Sequence, residues 1–226
     1  MSQSEHHASF DEDDLLWSEQ FGDHYFSRND GRAECQHVFI AGNKLPERWA
    51  TASNFAIGEL GFGTGLNFLT TWQMWRAHRR PGQHLHFHSV EAFPLDIDTA
   101  QLALNRWPQL QSLAAELLEK WQMLDKCCQM DQQTSLQVEF EQVEPALASF
   151  PKCDAWYLDG FAPARNPDMW SPAVMQSLAD ATEAGGTFAS YTAAGWVRRN
   201  LQDAGFEVEK QPGFGTKRDM IAGYLP

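Results

Sequence analysis

The sequence predicts an α/β protein: a mostly parallel seven-stranded sheet ending in an antiparallel C-terminal hairpin, with a small N-terminal β-hairpin extension. Three observations carry this. From residue 54 onward, short apolar runs alternate with segments of helical spacing joined by short loops, the pattern of a parallel sheet covered on both faces. The last two apolar runs, 206–210 and 220–225, have no room between them for a crossover helix and so pair antiparallel. With 226 residues, 43% of them hydrophobic, nine Trp and fifteen Phe, the chain can fill one sizeable core, and the composition excludes disorder.

Residues 1–14 read as an acidic flexible arm, without the basic and apolar regions of a signal peptide. Residues 15–50 carry Tyr25-Phe26 and Val38-Phe39-Ile40, broken by Asn29-Asp30-Gly31 and Gly42-Asn43, and read as a β extension. The main domain spans 51–226. Its expected strands are 54–60, 84–91, 136–140, 155–158, 187–191, 206–210 and 220–225. Its expected helices are 66–80, 96–120 with a break at Trp107-Pro108, 143–150, 172–184 and 194–204, most of them stopped by Pro or Gly.

The net charge is −13, and residues 1–30 alone hold eight acids and one Arg. That balance argues against binding nucleic acid over the whole surface, although Arg198, Arg199, Lys210, Lys217 and Arg218 could form a local basic face. No apolar run approaches a membrane span, so no membrane partner is expected. Four cysteines form no C-x-x-C pair, which suits a reduced, cytoplasmic setting. His84, His86 and His88 alternate along one strand face, but no other His or Cys completes a ligand set, and no metal is expected.

In open parallel sheets, ligands bind beyond the carboxyl ends of the strands. Four such ends stand out. The first is the run Glu59-Leu60-Gly61-Phe62-Gly63-Thr64-Gly65-Leu66-Asn67, where a strand enters a glycine turn and a helix begins. Its G-x-G-x-G spacing fits neither a dinucleotide fingerprint nor a P-loop, and Glu59 favours a cationic or zwitterionic ligand over a phosphate. The second is Glu91, an acid positioned to accept both hydroxyls of a ribose. The third, Glu141-Gln142, could hydrogen-bond an adenine. The fourth is Asp159, at the head of Asp159-Gly160-Phe161-Ala162-Pro163, a candidate base or orienting group for a small nucleophile.

Segments 55–69, 87–94, 154–170 (DAWYLDGFAPARNPDMW) and 185–217 resemble one family: the methyltransferase domain of the tRNA 5-methylaminomethyl-2-thiouridine biosynthesis proteins MnmC, also found alone as MnmD. The resemblance implies a class I S-adenosylmethionine (SAM) methyltransferase fold. It also implies N-methylation of 5-aminomethyl-2-thiouridine at the tRNA wobble position. SAM would be held by Glu59, Gly61, Phe62, Gly63, Thr64, Gly65, Asn67, Glu91, Gln142 and Asp159, with Asp159 also beside the incoming amine. Tyr25 and Phe161 would wall the uracil, and Arg198, Arg199, Lys217 and Arg218 would meet tRNA phosphates. Where the family carries Gly-Asp after the third strand, this chain has Glu141-Gln142. The family also implies a flavin-dependent oxidase domain in a longer fused protein. Three other readings stay open: a methyltransferase acting on a small molecule or protein, a nicotinamide oxidoreductase, and a non-catalytic tRNA-binding relative.

Overall fold

Short apolar or alternating runs become the inner strands of one sheet, and the computed structural model describes residues 8–226. Ahead of that sheet lie three short strands, β1 (Ala8–Phe10), β2 (Leu16–Ser18) and β3 (Asp23–His24), paired antiparallel in that order. Helices α1 (Gly31–Cys35) and α2 (Leu45–Trp49) follow, with a π-helical turn, Gln36–Ala41, between α1 and α2. The larger sheet comprises β4 (Asn54–Leu60), β5 (His84–Val90), β6 (Cys128–Asp131), β7 (Thr134–Glu139), β8 (Cys153–Leu158), β9 (Thr182–Ser190), β10 (Glu207–Pro212) and β11 (Asp219–Tyr224). Its helices are α3 (Leu66–His78), α4 (Ile97–Leu104), α5 (Gln111–Leu118), α6 (Val143–Leu147), α7 (Pro172–Asp180) and α8 (Gly195–Asp203).

The sheet order is β10-β11-β9-β8-β4-β5-β7-β6. Strands β7, β5, β4, β8 and β9 run parallel, and β11 enters antiparallel between β9 and β10. The chain leaves β4 toward β5 on one side and later returns to lay β8 on the other. The β4/β8 boundary is therefore the switch point where a crevice opens beyond the strand ends. Phe55, Ile57, Leu85, Phe87, Leu136 and Val138 fill one side of the sheet with α3, and Trp156, Leu158 and Phe188 fill the other with α7 and α8.

The structure corrects the sequence expectations in four places. The sheet has eight strands rather than seven, because Cys128–Asp131 adds an antiparallel edge. Asp131 anchors that edge, accepting from Trp72 Nε1 at 2.9 Å and Arg79 Nη1 at 2.6 Å. Residues 31–50 are helical, not β. Asp30 caps α1 through the amides of Arg32 and Ala33, and the wide turn at 36–41 buries Val38, Phe39 and Ile40 together. Residues 8–14 are tied down rather than free: Asp11 accepts from the amides of Asp13 and Leu15 and pairs with His24 at 2.7 Å. Residues 1–7 lie outside the described residues. Finally, β9 starts at Thr182, where α7 was expected to continue, and its pairing with β8 shifts register between Cys153 and Ala155.

The N-terminal segment is part of the main body. Buried Asn43 donates to Phe39 O (2.9 Å) and Trp156 O (3.2 Å) and accepts from Thr187 Oγ (2.6 Å). Arg48 donates to Thr187 Oγ and to Asp154 O. The extension is thus fastened to β8 and β9, and it forms a roof over the crevice.

Candidate functional site

The crevice is a cleft of about 770 Å³ at the switch point, with its floor at the ends of β4, β5, β7 and β8 and its roof from the N-terminal segment. The glycine turn shapes the floor. Gly61, Gly63 and Gly65 have φ of +89°, +53° and +79°, a region side chains rarely adopt. A Cβ on Gly61 would lie 3.2 Å from Gly160 Cα and 3.3 Å from Gly160 N, so the loops after β4 and β8 abut as closely as backbone allows. Gly61 and Phe62 donate to Val90 O, which locks the turn to the end of β5.

Glu91 is already ordered. Its Oε2 accepts from Gly63 N and its Oε1 from Phe93 N, both at 2.8 Å. One carboxylate therefore joins the glycine turn to the loop after β5 while facing the cleft. Gln142 is the residue from which α6 starts, its side chain making no capping bond, and it is exposed at the cleft edge beside Glu141.

Asp159 sits just past the end of β8, and its Oδ2 accepts from Asn67 Nδ2 at 2.7 Å. Burial pushes its carboxyl up to about 7, against the Asn67 and Gly160 donors and the Lys217 ammonium, which favour the charged form; the Glu34 carboxylate adds to the rise. Glu59 lies behind it, fully buried, accepting from Ser89 Oγ at 2.6 Å with its second oxygen unpartnered. Burial raises the Glu59 carboxyl well above the usual range, which favours its protonated form.

One wall of the cleft is aromatic. Phe161 stacks on Phe21 at 4.5 Å and meets the edge of Tyr25 at 5.2 Å, while Phe93 meets Phe21 at 5.5 Å. Asp23 fixes this loop by accepting from Ala162 N at 2.9 Å. Burial and the Glu91 charge keep the Tyr25 phenol neutral.

Gly61, Phe62, Gly63, Thr64, Asn67, Glu91, Gln142, Asp159, Tyr25, Phe161 and Lys217, all expected from sequence, line this one cleft. Glu59 and Gly65 stand behind the lining, Glu59 in the core and Gly65 at the start of α3. Arg198, Arg199 and Arg218 lie outside it: Arg198 is half-buried on α8, and Arg199 and Arg218 are exposed. The sequence reading missed Glu34, Asp23 and Tyr191. Tyr191 could have been found, since it follows the fifth parallel strand just as Asp159 follows the fourth. Glu34 and Asp23 come from the roof and carry no local signal. Among the described residues, no cluster of three His, Cys, Asp or Glu is placed to hold a metal. Among them, too, no helix is long and apolar enough to cross a membrane.

A strand order with its switch at β4/β8, a glycine turn over the crevice and an acid at the end of the next strand define a class I SAM-dependent methyltransferase fold. Residues 108–226 match the family model described as S-adenosyl-L-methionine-dependent methyltransferase, and the chain belongs to that family. Similar curated proteins are the tRNA 5-methylaminomethyl-2-thiouridine biosynthesis bifunctional proteins MnmC of Chromohalobacter salexigens and Methylobacillus flagellatus. The first is 43% identical over 94% of this chain and 31% of its own length. The second is 46% identical over 92% of this chain and 33% of its own length. The chain thus spans about a third of the curated relatives it matches. Among solved structures, MnmC2 from Aquifex aeolicus superposes with a TM-score of 0.79 at 21% identity, covering 99% of this chain and 72% of that one. A precorrin-6y C5,15-methyltransferase from Geobacter metallireducens reaches 0.51 at 12% identity, covering 96% of each chain.

Proposed function

We propose that the protein methylates the primary amine of 5-aminomethyl-2-thiouridine at the wobble position of tRNA, using SAM. The observation that carries this reading is Asp159: a carboxylate set at the switch point, tuned to about 7 and flanked by an aromatic wall. An acid of that strength suits a primary amine, which must give up its proton before it can attack. The likeness to proteins named for 5-methylaminomethyl-2-thiouridine biosynthesis supports the same substrate.

The residues present fit SAM. The turn at Gly61 and Gly63 leaves no space for side chains, so a ligand there meets bare backbone. Glu91 offers carboxylate oxygens for ribose hydroxyls, and Gln142 a side-chain amide for the adenine. Glu59, fully enclosed, holds Ser89 from behind the turn rather than meeting the ligand. When bound, SAM supplies a methyl group made electrophilic by its sulfonium sulfur. The chain's own part is alignment and charge. Asp159 Oδ1 takes a hydrogen bond or proton from the amine while Asn67 holds Oδ2 and fixes the carboxyl plane. As positive charge grows on nitrogen, the carboxylate meets it. Phe161, backed by Phe21 and Tyr25, gives the uracil ring a stacking face.

Lys217 at the cleft, with Arg218, Arg198 and Arg199 beyond it, would meet tRNA phosphates. The setting is the cytoplasm. In the longer bifunctional relatives, the remaining two thirds would hold the second activity, for which the sequence resemblance points to a flavin-dependent oxidase. The test is methyl transfer from labelled SAM to tRNA carrying 5-aminomethyl-2-thiouridine, beside the same tRNA lacking the modification. Label in the modified nucleoside alone supports the reading; label in neither tRNA, with SAM bound, contradicts it.

A further inference from the structure

Lys217 enters the cleft from the loop joining β10 and β11, remote in sequence from the other lining groups. Its Nζ donates to Glu34 Oε1 at 2.8 Å and stands 4.0 Å from the centroid of the Tyr191 ring. Glu34 comes from α1 in the roof, and its side chain is only 12% exposed. Tyr191 is pinned in turn, its OH donating to Gly160 O at 2.9 Å, the carbonyl next to Asp159. A carboxylate and an aromatic face thus meet one ammonium group, and Asp159 lies near enough for that charge to favour its ionised form. Such a cage suits an alkylammonium ion: the ring face and the fixed acid hold the charge together, and a partly dry site strengthens both.

The terminal group of lysine is –CH₂–NH₃⁺, and so is the protonated aminomethyl arm of the proposed substrate. We propose that Glu34 and the face of Tyr191 form a primary-ammonium subsite beside Asp159, and that Lys217 fills it until the substrate's aminomethyl group displaces it. This rests on the amine-methylation reading and adds how that site selects a primary ammonium. Three features make the exchange feasible. The Lys217 side chain is 40% exposed, so one face of the cage already meets solvent. Its stem is flexible and its loop carries Gly215 at φ +60°, so the lysine can swing outward without disturbing β10 or β11. Glu34 would otherwise face Asp159 across the cleft as a second negative charge, and an ammonium of either origin relieves that repulsion. Released, Lys217 stands at the cleft mouth with Arg28, where a nucleic-acid phosphate can meet it.

The subsite can be tested without the tRNA. n-Propylammonium is titrated by calorimetry into the wild-type protein, Lys217→Ala and Lys217→Ala/Glu34→Gln, each first shown by thermal melting to be folded. The expected result is saturable binding to Lys217→Ala, at least tenfold weaker binding to the wild type, where the lysine competes, and loss in the double variant. Equal binding to all three, or none to Lys217→Ala, overturns the proposal. With the modified tRNA as substrate, Glu34→Gln should raise KM about ten- to hundredfold, the scale of one charge-assisted hydrogen bond, while SAM affinity stays within twofold. Glu34→Gln with an unchanged KM would also overturn it. A protein that binds propylammonium as expected but methylates no tRNA would sink the substrate assignment and leave the subsite standing.

Discussion

Asp159 holds two requirements in tension. A carboxyl raised to about 7 suits the proposed amine substrate, and it costs stability whenever it is ionised. Its folded value lies above the ordinary 3.8, so between about 4 and 7 the native state binds a proton that the unfolded chain has lost. The resulting stability is full below about 4 and lost as pH rises through about 7. Asp159→Asn is therefore expected to melt a few degrees higher than the wild type at pH 8, with the gap closing toward pH 4; roughly 2–4 °C per kcal/mol is the scale for a chain this size. A variant less stable at pH 8 would show that the ionised carboxylate is structurally needed. Asn67→Ala removes the donor that favours the ionised form, so the acid limb of kcat/KM should move up by about one pH unit. Glu91→Ala should weaken SAM about ten- to hundredfold by calorimetry, since Glu91 also ties Gly63 to Phe93. Residues such as Glu91 and Asp159 were legible because a parallel strand's end announces them. Glu34 and Asp23 were not, since a roof contributed from far upstream in the chain leaves no trace in local spacing.

At the scale of the element, the glycine turn is the feature most exposed to a single methyl group. Gly61 combines positive φ with backbone on its open side, and Gly160 Cα and N cannot rotate away. Gly61→Ala should cost about 1–3 kcal/mol of stability and most of the SAM affinity. Gly82→Ala is the matched control: its φ is +84° but nothing lies within 4 Å of the added Cβ, so it carries the strain without the clash. Equal SAM affinity in the two variants would mean the close approach to Gly160 is unimportant. The strands β4 and β5 were readable to within a residue, β4 as a short apolar run ending at glycine and β5 from its strict alternation of Leu85, Phe87 and Ser89 with three histidines. Two elements misled for different reasons. Val38-Phe39-Ile40 has strand propensity, but packing against the core and the wide turn at 36–41 overrides it. Cys128–Asp131 is half polar, and only its pairing with β7 and the Asp131 anchor make it a strand.

Over the whole molecule, the charge of −13 and the proposed tRNA partner pull in opposite directions. Any tRNA contact must rest on a few cations near the cleft, such as Arg28 and Lys217, and the aromatic wall must supply the rest. The logarithm of tRNA affinity should then fall with the logarithm of salt at a slope no steeper than about −5, the mark of about five phosphate contacts at most. A steep slope would point to an extended basic face instead. The mostly parallel sheet and the C-terminal antiparallel pair followed from chain alternation, whereas the order of the strands across the sheet did not. The fastening of the extension by Asn43 and Arg48 could not be read, because its partners at 154, 156 and 187 lie more than a hundred residues away.

The central claim is that one carboxylate at the switch point aligns the amine and meets its developing charge. The most direct measurement is the single-turnover rate of methyl transfer to tRNA carrying 5-aminomethyl-2-thiouridine, wild type against Asp159→Asn, with SAM saturating and its affinity measured in both. The asparagine keeps the shape and one acceptor but has no charge. The expected result is SAM binding within a few-fold and a rate lower by a factor on the order of 10²–10³, the scale for one lost electrostatic stabiliser. Near-equal rates with intact SAM binding would contradict the account and reduce Asp159 to a cap on the β8 loop.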